Sequence, residues 1–164
     1  MNFLEVSLIC SILSCTLVTG FTLLYAVVIM PGLSKLDDKE FIKAFQVTDG
    51  VIQDNQPLFI LIWLGSVISV VGAILSSIIS VGLPEAWLIV FVGVVYLLGV
   101  QGITLSVHLP LNNHIKKINI EKTDNKTLSV ERQKFETRWN FFNTIRTGIS
   151  FLVSLTLLLV VALR

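Results

Sequence analysis

Between Met1 and Ser34 the chain carries a single charged residue, Glu5, and between Asn55 and Gln101 a single one, Glu85. A fold surrounded by water must cover its outside with polar groups, and stretches of this length cannot supply the cover. With hydrocarbon as the outer solvent, apolar side chains are free to face outward. Over the whole chain 14% of residues are charged, against about 25% in soluble domains. A spanning helix needs about 20 mostly apolar residues, because the hydrocarbon core is about 30 Å thick and a helix rises about 1.5 Å per residue. Four segments qualify: about 4–30, stopped by Pro31-Gly32, then about 57–81, 87–109 and 141–163. Gly82-Leu83-Pro84 reverses the chain tightly, so the second and third helices lie antiparallel and adjacent. The reading is an all-α membrane protein, one four-transmembrane-helix bundle over residues 1–164, with connecting loops at 31–56 and 110–140.

The cations orient the bundle. Lys35, Lys39 and Lys43 occupy the first loop; Lys116, Lys117, Lys122, Lys126, Arg132, Lys134 and Arg138 occupy the third. Arg146 lies just inside the fourth helix at the same face, and only Arg164 lies at the other. The positive-inside rule puts both long loops in the cytoplasm and both termini outside. The first apolar run has no Lys or Arg before Lys35 and is too long for a signal peptide, so it reads as a retained helix. Lack of a targeting signal favours a bacterial inner membrane. The sequon Asn125-Lys126-Thr127 matters only if its loop is extracellular, and reads as a chance triplet.

Membrane helices associate through close packing of small residues. Gly65, Ser69, Gly72 and Ser76 form such a stripe on the second helix, with Gly99, Gly102 and Ser106 on the third and Gly148, Ser150 and Ser154 on the fourth. Cys10 and Cys15 are five apart and point about 140° away from each other. With no Cys-x-x-Cys, quinone-linked disulfide chemistry is disfavoured, and both read as packing thiols. A net charge of +1 gives no argument for nucleic acid. Two histidines with no acid at ligand spacing do not form a metal site. Transport is disfavoured because no broken segment or acidic relay crosses the helix centres. Membrane lipids remain as partners.

Polar residues gather at the end with the basic loops, in the stretches 101–114 and 139–147. Trp139, Asn143, Arg146 and Thr147 share one helical face. An arginine one turn inside a membrane helix either snorkels to headgroups or meets a partner. Asp54, at the same depth, is a candidate salt partner. His108 reads either as a wetted helix end or as a proton acceptor. The patch from Asp49 to Gln56 reads as a capping approach to the second helix. Residues 127–140 form an amphipathic helix, with Leu128, Phe135 and Trp139 toward the membrane, Ser129 as N-cap and Glu131 in the first turn, and the fourth helix as its continuation.

Four pieces resemble the anthrone oxygenase-like family of small four-helix membrane proteins. They are Met30-Pro31-Gly32-Leu33 closing the first helix, Ile52-Gln53 through Pro57-Leu58-Phe59 opening the second, Pro110-Leu111-Asn112 after the third, and Trp139-Asn140…Asn143…Arg146-Thr147 opening the fourth. The family often has Asn where this chain has Asp49. The resemblance supports Asn112, Asn143 and Arg146 best. It implies, for some members, oxidation of an anthrone to an anthraquinone without metal, flavin or other cofactor, and so a lipophilic aromatic small molecule as partner. In that chemistry His108 would remove a benzylic proton, and Arg146 with Asn112 and Asn143 would stabilise the enolate oxygen. Trp139 and Asp54 complete the candidate ligand-binding set. The alternative is a non-catalytic protein that binds a lipid headgroup or small ligand through the Arg146 cluster.

Orientation is open to test. A reporter active only in the cytoplasm, fused after Arg164, is expected to stay silent, and activity there would reverse the topology.

Overall fold

The computed structural model describes residues 2–163. Five helices carry the fold among them: α1 (Phe3–Leu33), α2 (Asp38–Gln53), α3 (Pro57–Val81), α4 (Leu83–Lys116) and α5 (Asn125–Ala162). Each of them except α2 is long and apolar enough to cross a membrane. Their outer surfaces are apolar, with Leu13, Leu61, Ile79, Leu98 and Phe151 all exposed, as hydrocarbon permits.

α1 packs on both α3 and α5, and α4 closes the bundle against α3 and α5. A first core of Leu8, Cys15, Val18, Val70, Tyr96 and Val153 fills the centre of the spans. Hydroxyls link the helices where no water can serve. Ser14 Oγ meets Ser69 Oγ at 2.9 Å, Thr19 Oγ1 meets Ser150 Oγ at 2.6 Å, and the Tyr96 hydroxyl donates to Ser66 Oγ at 2.8 Å. The small-residue stripe on α3 is only partly a contact surface. A Cβ on Gly65 would meet nothing within 4 Å, whereas one on Gly93 of α4 would lie 2.7 Å from Ile74 Cδ1.

Segment 31–56, read from sequence as a loop, is mostly the helix α2. Asp37 caps it by accepting from the Glu40 N–H at 2.8 Å. Its buried face carries Phe41, Ile42 and Phe45, which meet Leu128, Phe135 and Trp139 of α5 in a second core at the basic end. The apolar face of residues 127–140 is therefore turned to α2 and not to the membrane. Two clamps seat α2. Arg132 donates to Ser34 O, Leu36 O and Asp38 Oδ1 at 2.9, 2.8 and 3.0 Å, and lies 4.6 Å over the Phe41 ring. Gln46 Nε2 donates to Ile115 O at 2.8 Å and Ile118 O at 3.0 Å, serving carbonyls left open where α4 ends. α5 is one continuous helix of 38 residues. Its N-cap is Asp124, which accepts from the Thr127 N–H at 3.0 Å, and not Ser129.

Pro31 does not stop α1. It has no N–H for the carbonyl one turn earlier and its ring crowds that carbonyl, and the chain responds with a π-helical turn at Tyr25–Ile29. Pro110 has the same effect on α4, with a π-turn at Thr104–His108. Another lies just upstream at Leu97–Gly102. Each π-turn inserts an extra residue and rotates the rest of the helix, so side chains leave the regular stripe.

Gly93→Val should lower thermal stability in detergent by about 1–3 kcal/mol through overpacking. Gly65→Ala should leave it unchanged or slightly higher, because the added methyl meets open space and alanine favours the helix. Equal losses from both would refute this assignment of packing contacts.

Candidate functional site

The two cores leave a cavity between them at the basic end, with room for about 210 Å3 of solvent. The π-turns build much of its wall. Tyr25 begins the turn in α1, and Thr104 and His108 bound the second π-turn of α4; all three line the cavity. Trp63 and Phe59 enter from α3, Asp49 from α2, and Trp139 and Arg146 from α5.

Arg146 is 4% exposed, so it does not snorkel. Its Nε donates to Asn143 Oδ1 at 3.0 Å and its Nη1 to Thr104 Oγ1 at 3.2 Å. Asn143 is held in turn, its Nδ2 donating to Thr22 O of α1 at 3.0 Å. The guanidinium carbon lies 5.6 Å from the Trp139 ring centre and 5.9 Å from that of Trp63. These ring faces are electron-rich and attract a cation. Among the described residues Arg146 forms no salt bridge. A buried cation without a counter-ion creates a positive potential in the cavity, suited to a ligand that is anionic or becomes so.

His108 is 3% exposed, and among the described residues neither ring nitrogen has a hydrogen-bond partner. The ring stands edge-on to Trp139, with centroids 4.9 Å apart. The residue lines the cavity, and its nitrogens are buried without a partner among the described residues. A buried polar group left unpaired costs free energy, and within a site it marks where a partner belongs.

A second polar chain runs along the cavity from Trp139 to Asp49. Trp139 Nε1 donates to Asn112 Oδ1 at 3.0 Å, and Asn112 Nδ2 donates to Asp49 Oδ1 at 2.7 Å. Gln53 Nε2 donates to the other Asp49 oxygen. Burial holds the Asp49 carboxyl above its ordinary value of 3.8, against the two amide donors and the nearby Lys116 charge, which pull it down.

The sequence candidates thus separate. His108, Asn112, Trp139 and Arg146 come together in one cavity. Asn143 stands behind Arg146, with both ends of its amide engaged, and positions the guanidinium. Asp54 is not the partner of Arg146. It follows α2 as a mostly exposed residue, paired with Lys116 at 3.6 Å. Asp49 stands in the cavity wall instead, and its signal lay in the spacing Phe41, Phe45, Asp49, which sets a carboxylate on an apolar helical face. His114 is exposed and pairs with Glu131. Tyr25, Phe21, Trp63 and Thr104 had no sequence signal beyond apolar or small-residue patterning, and Phe59 appeared only within the Pro57-Leu58-Phe59 piece of the family pattern.

A family model described as anthrone oxygenase matches residues 54–156, more than half of the chain. No curated protein and no solved structure matches the chain. The matched stretch contains His108, Asn112, Trp139 and Arg146 and leaves Tyr25 and Asp49 outside it.

Asp49 makes a pH prediction. A carboxyl raised in the folded state binds its proton more tightly there than in the unfolded chain. Stability is therefore lost as pH climbs from the unfolded value through the folded one. Asp49→Asn should match wild type near pH 4 and gain thermal stability relative to it as pH rises to 7. A difference that is flat with pH would mean that Asp49 is not held above its ordinary value.

Proposed function

The chain belongs to the anthrone oxygenase family, and on that premise we propose that its cavity binds a flat, lipophilic phenol with an acidic C–H and oxidises it with molecular oxygen, without metal or flavin. The observation that carries the reading is the pairing of an uncompensated buried guanidinium with an unpartnered buried imidazole. Aromatic walls from Phe59, Trp63, Tyr25 and Trp139 suit a planar ring system. The basic residues of both connecting segments support placing this end in the cytoplasm.

The groups present suffice for the chemistry. Neutral His108 takes a proton from the ring CH2, and the electron pair left behind spreads onto the carbonyl oxygen. Arg146 holds that oxyanion; it is already in place, so the charge forms against a fixed cation in a low-dielectric site. The carbanion carbon gives its electrons to oxygen and forms a C–O bond, yielding a peroxide whose outer oxygen takes the proton from His108. Loss of the second C–H proton with cleavage of the O–O bond leaves a ketone and water. One CH2 and one O2 become one C=O and one H2O, with four electrons passing from carbon to oxygen. Asn112, fixed by Asp49 and Trp139, has one amide hydrogen left to direct a ring hydroxyl.

The test uses the protein in nanodiscs with a hydroxylated anthrone, monitoring oxygen uptake and quinone absorbance together. One O2 is expected per quinone formed. Arg146→Lys keeps the charge but loses the forked geometry, and should lower kcat/KM by about 100- to 1,000-fold. His108→Gln should lower kcat by about 100- to 10,000-fold. Tight binding of the anthrone with no oxygen uptake by wild type would make this a binding protein. Full turnover in both variants would place the chemistry elsewhere.

A further inference from the structure

The aromatic wall of the cavity has a second face. Phe21, Phe59 and Trp63 also form the inner wall of a second space, a groove of about 360 Å3 on the outer face of the bundle between α1 and α3. Its other walls are Leu17, Gly20, Leu24 and Ile62. Leu17 and Leu24 are among the exposed apolar residues of the span. Phe59 stacks on Trp63 with centroids 5.3 Å apart and lies 5.0 Å from Phe21, so three rings separate the two spaces.

We propose that this groove is a subsite for the aliphatic tail of an amphiphilic substrate whose aromatic head occupies the cavity beside Arg146 and His108. The inference rests on the proposed function of the cavity and adds the substrate class. Three observations support it. The first is size: at about 210 Å3 the cavity falls below the roughly 300–1,000 Å3 of sites that enclose a whole drug-sized ligand. It therefore takes a ring head and leaves the rest of a larger molecule outside. The second is adjacency: the two spaces share Phe21, Phe59 and Trp63 as a common wall, and a substrate that spans both requires the Phe59 ring to turn. The third is direction. Along α1 the groove runs from Leu24 back to Thr16, about 12 Å at 1.5 Å per residue, from the basic end toward the middle of the span. An amphiphile in a bilayer lies the same way, with its polar head at the interface and its tail inward.

Gly20 provides the means of testing it. A Cβ there would meet no atom of the described residues within 4 Å, so a side chain can be introduced at this point of the groove lining. The probes are two hydroxyanthrones with the same head, one bare and one carrying a decyl chain, titrated anaerobically against the protein in nanodiscs. Each Kd is corrected for partition into empty discs. The tail is already in hydrocarbon before it binds, so the gain comes from packing and from its link to the head; an advantage of about tenfold for the tailed probe is expected. Gly20→Leu should abolish that advantage and leave the bare probe unchanged. Leu17→Trp, from another exposed position on the groove, should act likewise. A tail advantage that survives both substitutions overturns the subsite while leaving the cavity reading intact, and so does a phospholipid acyl chain that holds the groove against the tailed probe. Failure of both probes to bind, or binding insensitive to Arg146→Lys, overturns the cavity reading as well.

Discussion

The guanidinium of Arg146 is the fixed point of the molecule. A charge inside a membrane span is expensive, and among the described residues no salt bridge relieves it. The groups that hold it come from every spanning helix. Thr104 of α4 accepts from it, Trp63 of α3 and Trp139 of α5 offer ring faces, and Asn143 ties it to the Thr22 carbonyl of α1. These contacts offset the burial only while all four helices stand in register around the cation. The arrangement that makes the cavity positive therefore also specifies how the bundle closes.

Around that point the backbone departs from regular helix where the chemistry gathers. Pro31 and Pro110 each come just after a π-helical turn, and those turns present Tyr25, Thr104 and His108 to the cavity. In water a proline inside a helix costs about 3 kcal/mol or more. In a bundle, local π adjustment lets neighbouring groups absorb the displaced backbone. The same adjustment turns His108 inward, where its ring nitrogens find no partner among the described residues.

The wall facing the basic loops depends on α2. Arg132 and Gln46 pin this short helix to α5 and to the end of α4 through backbone carbonyls, so its place does not rest on apolar packing alone. Seated there, it brings Asp49 to Asn112 and fixes Asn112 against Trp139. Asp54 and Asp49 are five positions apart and both acidic, yet one leaves the helix end for solvent and pairs with Lys116 while the other faces the cavity. Choosing between them needs the rotation of α2, which its neighbours set.

The sequence by itself determined four apolar helices, the continuous helix that runs into the fourth span, and the concentration of cations and polar residues at one end. Hydropathy, charge and helical period are properties of consecutive residues and survive without any knowledge of neighbours. It also singled out Arg146, because a cation within an apolar run is conspicuous wherever it points. Only the tertiary structure decided which polar groups meet. It turned the apolar face of residues 127–140 to α2 instead of the membrane, set Asn143 behind Arg146 as its support, and gave Asp49 the place that depth alone suggested for Asp54. Each of these depends on the rotation of one helix against another. In hydrocarbon that rotation is set by close packing and by the few hydrogen bonds that must be satisfied, and neither is written in any single segment of the chain.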